Sequence, residues 1–183
     1  MNVHLVFSLL GADRTGLVDQ LSKAVTDNGG NLEESRMAVL GGEFAVMMMV
    51  AVDESRREAL ENAVHERAEA LGMSVQIKQT RPLHETAARR TVTVAVNGAD
   101  HEGIVHPVVN WLASQGCSIT NLASHVSPAP HTGTQLFSMT LRVETPSALS
   151  ATEMKRQLRG VGDRLNVDVE VSENAVPTST ASA

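Results

Sequence analysis

Three observations predict an α+β chain of two ferredoxin-like βαββαβ units, each an antiparallel sheet with its helices on one face. A long segment occurs twice, the apolar period switches between two and about 3.6 in the same order within each repeat, and glycines punctuate the switches. The repeat is visible by direct alignment. GADRTGLVDQLSKAVTDNGGNLEE, from Gly11, lies without a gap on GADHEGIVHPVVNWLASQGCSITN, from Gly98. Gly11, Ala12, Asp13, Gly16, Val18 and Gly29 coincide with Gly98, Ala99, Asp100, Gly103, Val105 and Gly116. Apolar positions coincide as well: Leu17 with Ile104, Leu21 with Val108, Val25 with Leu112, and Leu32 with Ile119.

Each element follows from its own pattern. Leu5, Phe7 and Leu9 alternate, as do Val92, Val94 and Val96, and both sets read as first strands. After the shared loop, Leu17, Val18, Leu21 and Val25 take helical spacing, matched by Ile104, Val105, Val108 and Leu112. Gly29-Gly30 and Gly116 stop these helices. A strand over 32–40 turns through Gly41-Gly42 into 43–52, a hairpin signal. Its counterparts are 118–127 and 135–145, joined by the longer SPAPHTG. Second helices carry Leu60, Val64, Ala68 and Leu71, then Met154, Leu158, Val161 and Leu165. The last strands alternate through Met73, Val75 and Ile77, and through Val167, Val169 and Val171. The expected organisation is a first domain over 1–80, a linker over 81–90, a second domain over 91–172 and a disordered polar tail over 173–183.

Composition narrows the function. The 183 residues are 42% hydrophobic and carry a net charge of −6, which does not suit a surface that neutralises phosphates. Aromatic residues are 2%, with no Tyr, so little is available for stacking bases. The single cysteine, Cys117, allows no intrachain disulfide, and a cytoplasmic location is expected. The start MNVHLVFSLLGA lacks the Lys or Arg of a signal peptide, and AVMMMVAV is too short to span a bilayer.

The repeated loop invites three chemistries. Gly11 to Gly16 has the spacing of a phosphate loop, but Leu17 and Val18 stand where Lys and Ser or Thr are needed. There is no G-x-G-x-x-G, G-x-S-x-G or H-E-x-x-H. His101 and His106 are five apart on a helical pattern, and His125 and His131 lack a local carboxylate, so no metal site is expected. Cys117 has no adjacent positive charge to activate it. No catalytic group and no cofactor are expected. The loop can still bind. A helix N-terminus offers free N–H groups to a carboxylate, and Asp13 or Asp100 offers a partner to an ammonium. Together they would read a zwitterion. Equally, each Asp could simply cap or turn the chain.

The βαββαβ order with GADRTGLVDQLSKAVTDNGGNLEES resembles the ACT domain, a small-molecule-binding regulatory module. GTQLFSMTLRVETP and LRGVGDRLNVDVEV in the second copy narrow the resemblance to the tandem-ACT transcriptional repressors of the glycine cleavage system. The resemblance implies ligand contacts at Asp13, Arg14, Gly16 and Leu17 with Asn31, and at Asp100, Gly103 and Ile104 with Asn121. His101 replaces the loop arginine, and Ser118 stands opposite Asn31. It also implies an amino-acid ligand, with glycine as the candidate, and a homodimer. Transcription would be controlled through a DNA-binding activator partner, without direct nucleic-acid or membrane contact. ACT domains like the first copy also precede formyltetrahydrofolate deformylase and phosphoserine phosphatase. A regulatory or dimerisation module serving an amino-acid or one-carbon enzyme in trans is therefore the alternative.

Overall fold

The structure is a computed structural model that describes residues 1–81 and 90–173. The chain divides into two compact units, Met1–His84 and Glu85–Ala183. The first contains β1 (Asn2–Ala12), α1 (Leu17–Asp27), β2 (Asn31–Leu40), β3 (Glu43–Asp53), α2 (Arg57–Ala70) and β4 (Ser74–Thr80). The second repeats the order with β5 (Arg90–Ala99), α3 (Val105–Ser114), β6 (Ser118–Pro128), β7 (Gln135–Thr145), α4 (Ala151–Leu165) and β8 (Val167–Glu173). The sheets are antiparallel and ordered β2-β3-β1-β4 and β6-β7-β5-β8. This is the expected βαββαβ architecture, twice.

The core forms where the two periods meet. Leu5, Phe7 and Leu9 alternate on β1 and Val46, Met48 and Val50 on β3, so all point to one face of the sheet and are buried. Leu17, Leu21 and Val25 of α1 and Leu60, Val64 and Ala68 of α2 recur every three or four residues and cover that face. The second unit packs Val92, Val94 and Val96 beneath Val108 and Leu112 of α3 and Met154 and Leu158 of α4. Both edge strands carry an irregularity at the same place, between Leu32 and Glu34 in β2 and between Ile119 and Asn121 in β6.

Element ends differ from the sequence reading where side chains reach across the fold. Arg90, assigned to the linker, instead opens β5, and its guanidinium donates to the Leu149 carbonyl just before α4. Glu173, assigned to the tail, closes β8 and lies 3.4 Å from that same guanidinium. Leu71 follows α2 rather than ending it, while Met73 is buried just ahead of β4. The rest of the expected linker from 82 to 89, and the tail from 174, lie outside the described residues.

Candidate functional site

The loop after β1 is shaped by two glycines. A Cβ on Gly11 would sit 2.8 Å from Met73 Cγ, so glycine lets β1 end against the chain entering β4. Gly16 has φ 91°, a left-handed conformation that glycine adopts without steric cost, and α1 begins immediately after it. The second loop repeats both features: Gly98 abuts Val167, and Gly103 has φ 88°. The backbone N–H of Asp13 donates to the Gly42 carbonyl at 2.8 Å, and that of Asp100 donates to the Gln135 carbonyl at 2.8 Å. Each loop is thereby tied to the start of the neighbouring strand.

Side-chain caps stand at α4 and at the 3-10 turn before α2, but not at α1, α3 or the start of α2 itself. Ser150 Oγ accepts from the Glu153 N–H at the start of α4, and Asp53 does the same for the Ser55 N–H in the 3-10 turn leading into α2. Neither α1 nor α3 has a capping side chain. Asp13 is exposed, and its carboxylate makes no hydrogen bond or ion pair among the described residues. It is therefore not a cap. Leu17 and Ile104 are buried, each 2% exposed, and anchor the start of each helix to its core. The loop thus presents first-turn N–H groups without a side-chain acceptor, beside a carboxylate without a donor.

Arg14 and His101 each reach across the fold to a backbone carbonyl. Arg14 Nη2 donates to the Leu71 carbonyl at 2.6 Å, across 57 residues of sequence. His101 Nε2 lies 2.8 Å from the Leu165 carbonyl, the corresponding place in the second unit. Both side chains brace the loop against the end of the second helix.

Asn31 and Asn121 do not join the loops within their units. Asn31 pairs with Ala51, which pairs with His4, whereas Asp13 follows the far end of β1. Eight or more residues of strand separate the two levels, upwards of roughly 20 Å. Asn121 pairs with Arg142, which pairs with Thr93, again well away from Asp100. The register irregularities align Asn121 with Glu34 and Ser118 with Asn31, so Asn121 is not the counterpart of Asn31. The ungapped repeat already sets Ser118 opposite Asn31, and the strand register agrees with it.

Other chemistries find no constellation. Among the described residues, no three His, Cys, Asp or Glu side chains converge as a metal site would require. Cys117 is half-buried against the second core. A groove of about 340 Å³ between α1 and α2 is lined by Lys23, Asp27, Glu66 and Arg67 among others, and contains no loop residue. Among the described residues, no helix is long and apolar enough to cross a membrane.

Comparison with known proteins agrees with this geometry. Residues 3–78 match the ACT domain model. The chain is 23% identical over 169 residues to the glycine cleavage system transcriptional repressor of Escherichia coli (strain K12), covering 92% of this chain and 89% of that one. An unknown protein from Galdieria sulphuraria has a solved structure similar at TM-score 0.84 and 31% identity, covering 96% of this chain and 100% of the other. A solved structure of a candidate glycine cleavage system transcriptional repressor matches at TM-score 0.71 and 20% identity, over 95% and 99% of the two chains, and supports the fold.

Proposed function

For a chain whose residues 3–78 are an ACT domain and whose residues 90–173 repeat that fold, we propose an amino-acid-responsive regulator of transcription. It regulates rather than catalyses, as does the named relative, a transcriptional repressor matched along nearly its whole length. The observation that carries ligand binding is the loop itself. Helix starts without a side-chain cap follow an exposed aspartate at the same place in both units. An α-amino acid presents the complementary pair, a carboxylate for the N–H groups and an ammonium for the aspartate. Asp13, Gly16 and Leu17 form the first contact set, and Asp100, Gly103 and Ile104 the second. Arg14 braces its set, and Asn31 and Asn121 fall outside them. Glycine is the candidate ligand because the named relative is a repressor of the glycine cleavage system.

Control of transcription through a DNA-binding activator is the partner reading that the family resemblance implies, and the charge supports it. A net charge of −6 opposes unaided binding to duplex DNA. Calorimetry with glycine and then the other amino acids tests the ligand. Asp13→Asn should weaken binding roughly ten- to a hundredfold, the scale of one lost charge-assisted hydrogen bond. Unchanged affinity would remove Asp13 from the site. A gel shift with duplex DNA at physiological salt should show no tight complex.

A second reading, a pairing module, is favoured by β2. This edge strand leaves Met37, Val39 and Leu40 between 51% and 81% exposed, an apolar row open to another strand. Self-association would make the protein a homodimer, and sedimentation of the purified chain measures it. Failure to bind any amino acid, combined with dimerisation, would favour this reading over the first.

A further inference from the structure

The residue after the loop aspartate touches the same carbonyl in both units, and the equivalence of those carbonyls is structural. Gly11 packs on Met73 and Gly98 on Val167, which places Met73 and Val167 at matching positions. The residues before them, Gly72 and Asn166, both turn through positive φ, at 66° and 54°. Leu71 and Leu165 precede those turns, so their carbonyls occupy one place in the repeated fold. Arg14 donates to the first and His101 meets the second.

The two struts differ in a single chemical respect. A guanidinium remains charged throughout the accessible pH range and always donates. The His101 ring has two acceptor neighbours: Nε2 lies 2.8 Å from the Leu165 carbonyl and Nδ1 2.9 Å from the Glu102 carbonyl. Carbonyl oxygens only accept. A neutral imidazole carries one N–H and must turn a lone pair toward one of them, whereas an imidazolium satisfies both.

We propose that His101 is a proton-operated strut, which holds the second loop against α4 while doubly protonated and releases one of its two contacts on deprotonation. Arg14 holds the first loop at every pH, so only one of the two duplicated loops responds to protons. His101 is a positioning residue in this scheme and touches no ligand. The proposal does not depend on the loop binding an amino acid.

The surroundings favour the charged ring. The Glu102 carbonyl, then the Leu165 carbonyl, and the negative charge of Asp100 raise the His101 pKa above its ordinary value of 6.5, against partial desolvation. Other ionisable groups on the elements that meet here are the Glu102 side chain, Asp163 and Arg164 near the end of α4, Asp168 on β8, and His131 ahead of β7. Because the folded pKa lies above the unfolded one, the strut contributes fully below the unfolded value near 6.5. Its contribution is lost as pH rises through the higher folded value. The second loop should therefore loosen as pH rises through the raised His101 pKa.

Amide hydrogen exchange on the full chain, corrected for the intrinsic pH dependence of exchange, tests this. Protection at 99–105 should fall roughly two- to tenfold as pH rises, the scale of one exposed hydrogen bond. The midpoint should coincide with the His101 ring titration followed by NMR. Protection at 12–18 should stay level. His101→Arg should keep the second loop protected at all pH, and Arg14→His should make the first loop pH-dependent. The proposal is overturned if both loops respond alike, if His101 titrates at or below 6.5, or if His101→Arg retains the response.

Discussion

The loops after β1 and β5 are held by the same three contacts but with different side chains. A glycine abuts the entry to the last strand, an aspartate N–H reaches the neighbouring strand, and a cationic or titratable side chain reaches the end of the second helix. Met73 becomes Val167 in the first contact, the Gly42 carbonyl becomes that of Gln135 in the second, and Arg14 becomes His101 in the third. The tight Gly41-Gly42 turn of the first hairpin is also replaced by a six-residue connection over 129–134. What the duplication preserves is the place of each backbone group. The side chains that meet it have drifted, and with them the conditions under which the contact holds.

The largest effect expected from this comparison is at the strand-end glycines. A Cβ on Gly98 would lie 2.6 Å from Val167 Cγ1, 3.0 Å from its Cβ and 3.1 Å from its Cα. Rotating the valine relieves only the first of these. At Gly11 the approaches are 2.8 Å to Met73 Cγ and 3.2 Å to both the Gly72 carbonyl oxygen and Met73 Cα, each slightly longer than its counterpart at Gly98. Gly98→Ala should cost about 1–3 kcal/mol, the usual scale of overpacking. Gly11→Ala should cost less. Urea unfolding of each full-length variant ranks them, and an inverted order would mean that the first unit is the tighter one at this point.

A smaller and equal effect is expected at Gly16 and Gly103. Both adopt positive φ, but around Gly103 a Cβ meets nothing within 4 Å and around Gly16 only Gln20 Nε2 at 3.9 Å. The penalty is backbone strain alone. Ala at either site should cost about 1–2 kcal/mol. Thermal unfolding that separates the two variants clearly would reveal a constraint in one loop that the other lacks.

The sequence exposed whatever depends on neighbours along the chain. Alternation at Leu5, Phe7 and Leu9 and helical spacing at Leu17, Leu21 and Val25 placed the strands, helices and core, because periodicity is local. Asp13 and Gly16 were legible because the repeat set them opposite Asp100 and Gly103. Contacts across the fold had no such signal. Arg14 reaches a backbone carbonyl 57 residues away, and a carbonyl leaves no mark in a sequence. Asn31 was grouped with the loop by the family resemblance, yet a helix returns the chain to the opposite end of the sheet. Gly162 is another case: a Cβ there would meet the Val167 carbonyl at 2.6 Å, so a glycine within α4 allows close packing on β8.

The smallest effect expected is at the aspartates, where it separates charge from architecture. Asp13→Asn and Asp100→Asn should each leave stability within about 0.5 kcal/mol, since both side chains are exposed and neither caps a helix. Their consequences for the struts should differ. The Asp13 charge lies beside a guanidinium that never titrates, so its loss leaves the Arg14 contact in place. Asp100 contributes to holding the His101 ring in its charged form. Removing that charge should move the His101 titration to lower pH, and the second loop should loosen earlier as pH rises. The shift should be modest, because the Glu102 and Leu165 carbonyls are the larger causes and remain. The ring resonances of His101, assigned by their disappearance in His101→Gln, report the midpoint directly. An unmoved or raised midpoint in Asp100→Asn would show that the carboxylate does not act on the ring, and the difference between the loops would then rest on the two carbonyls alone.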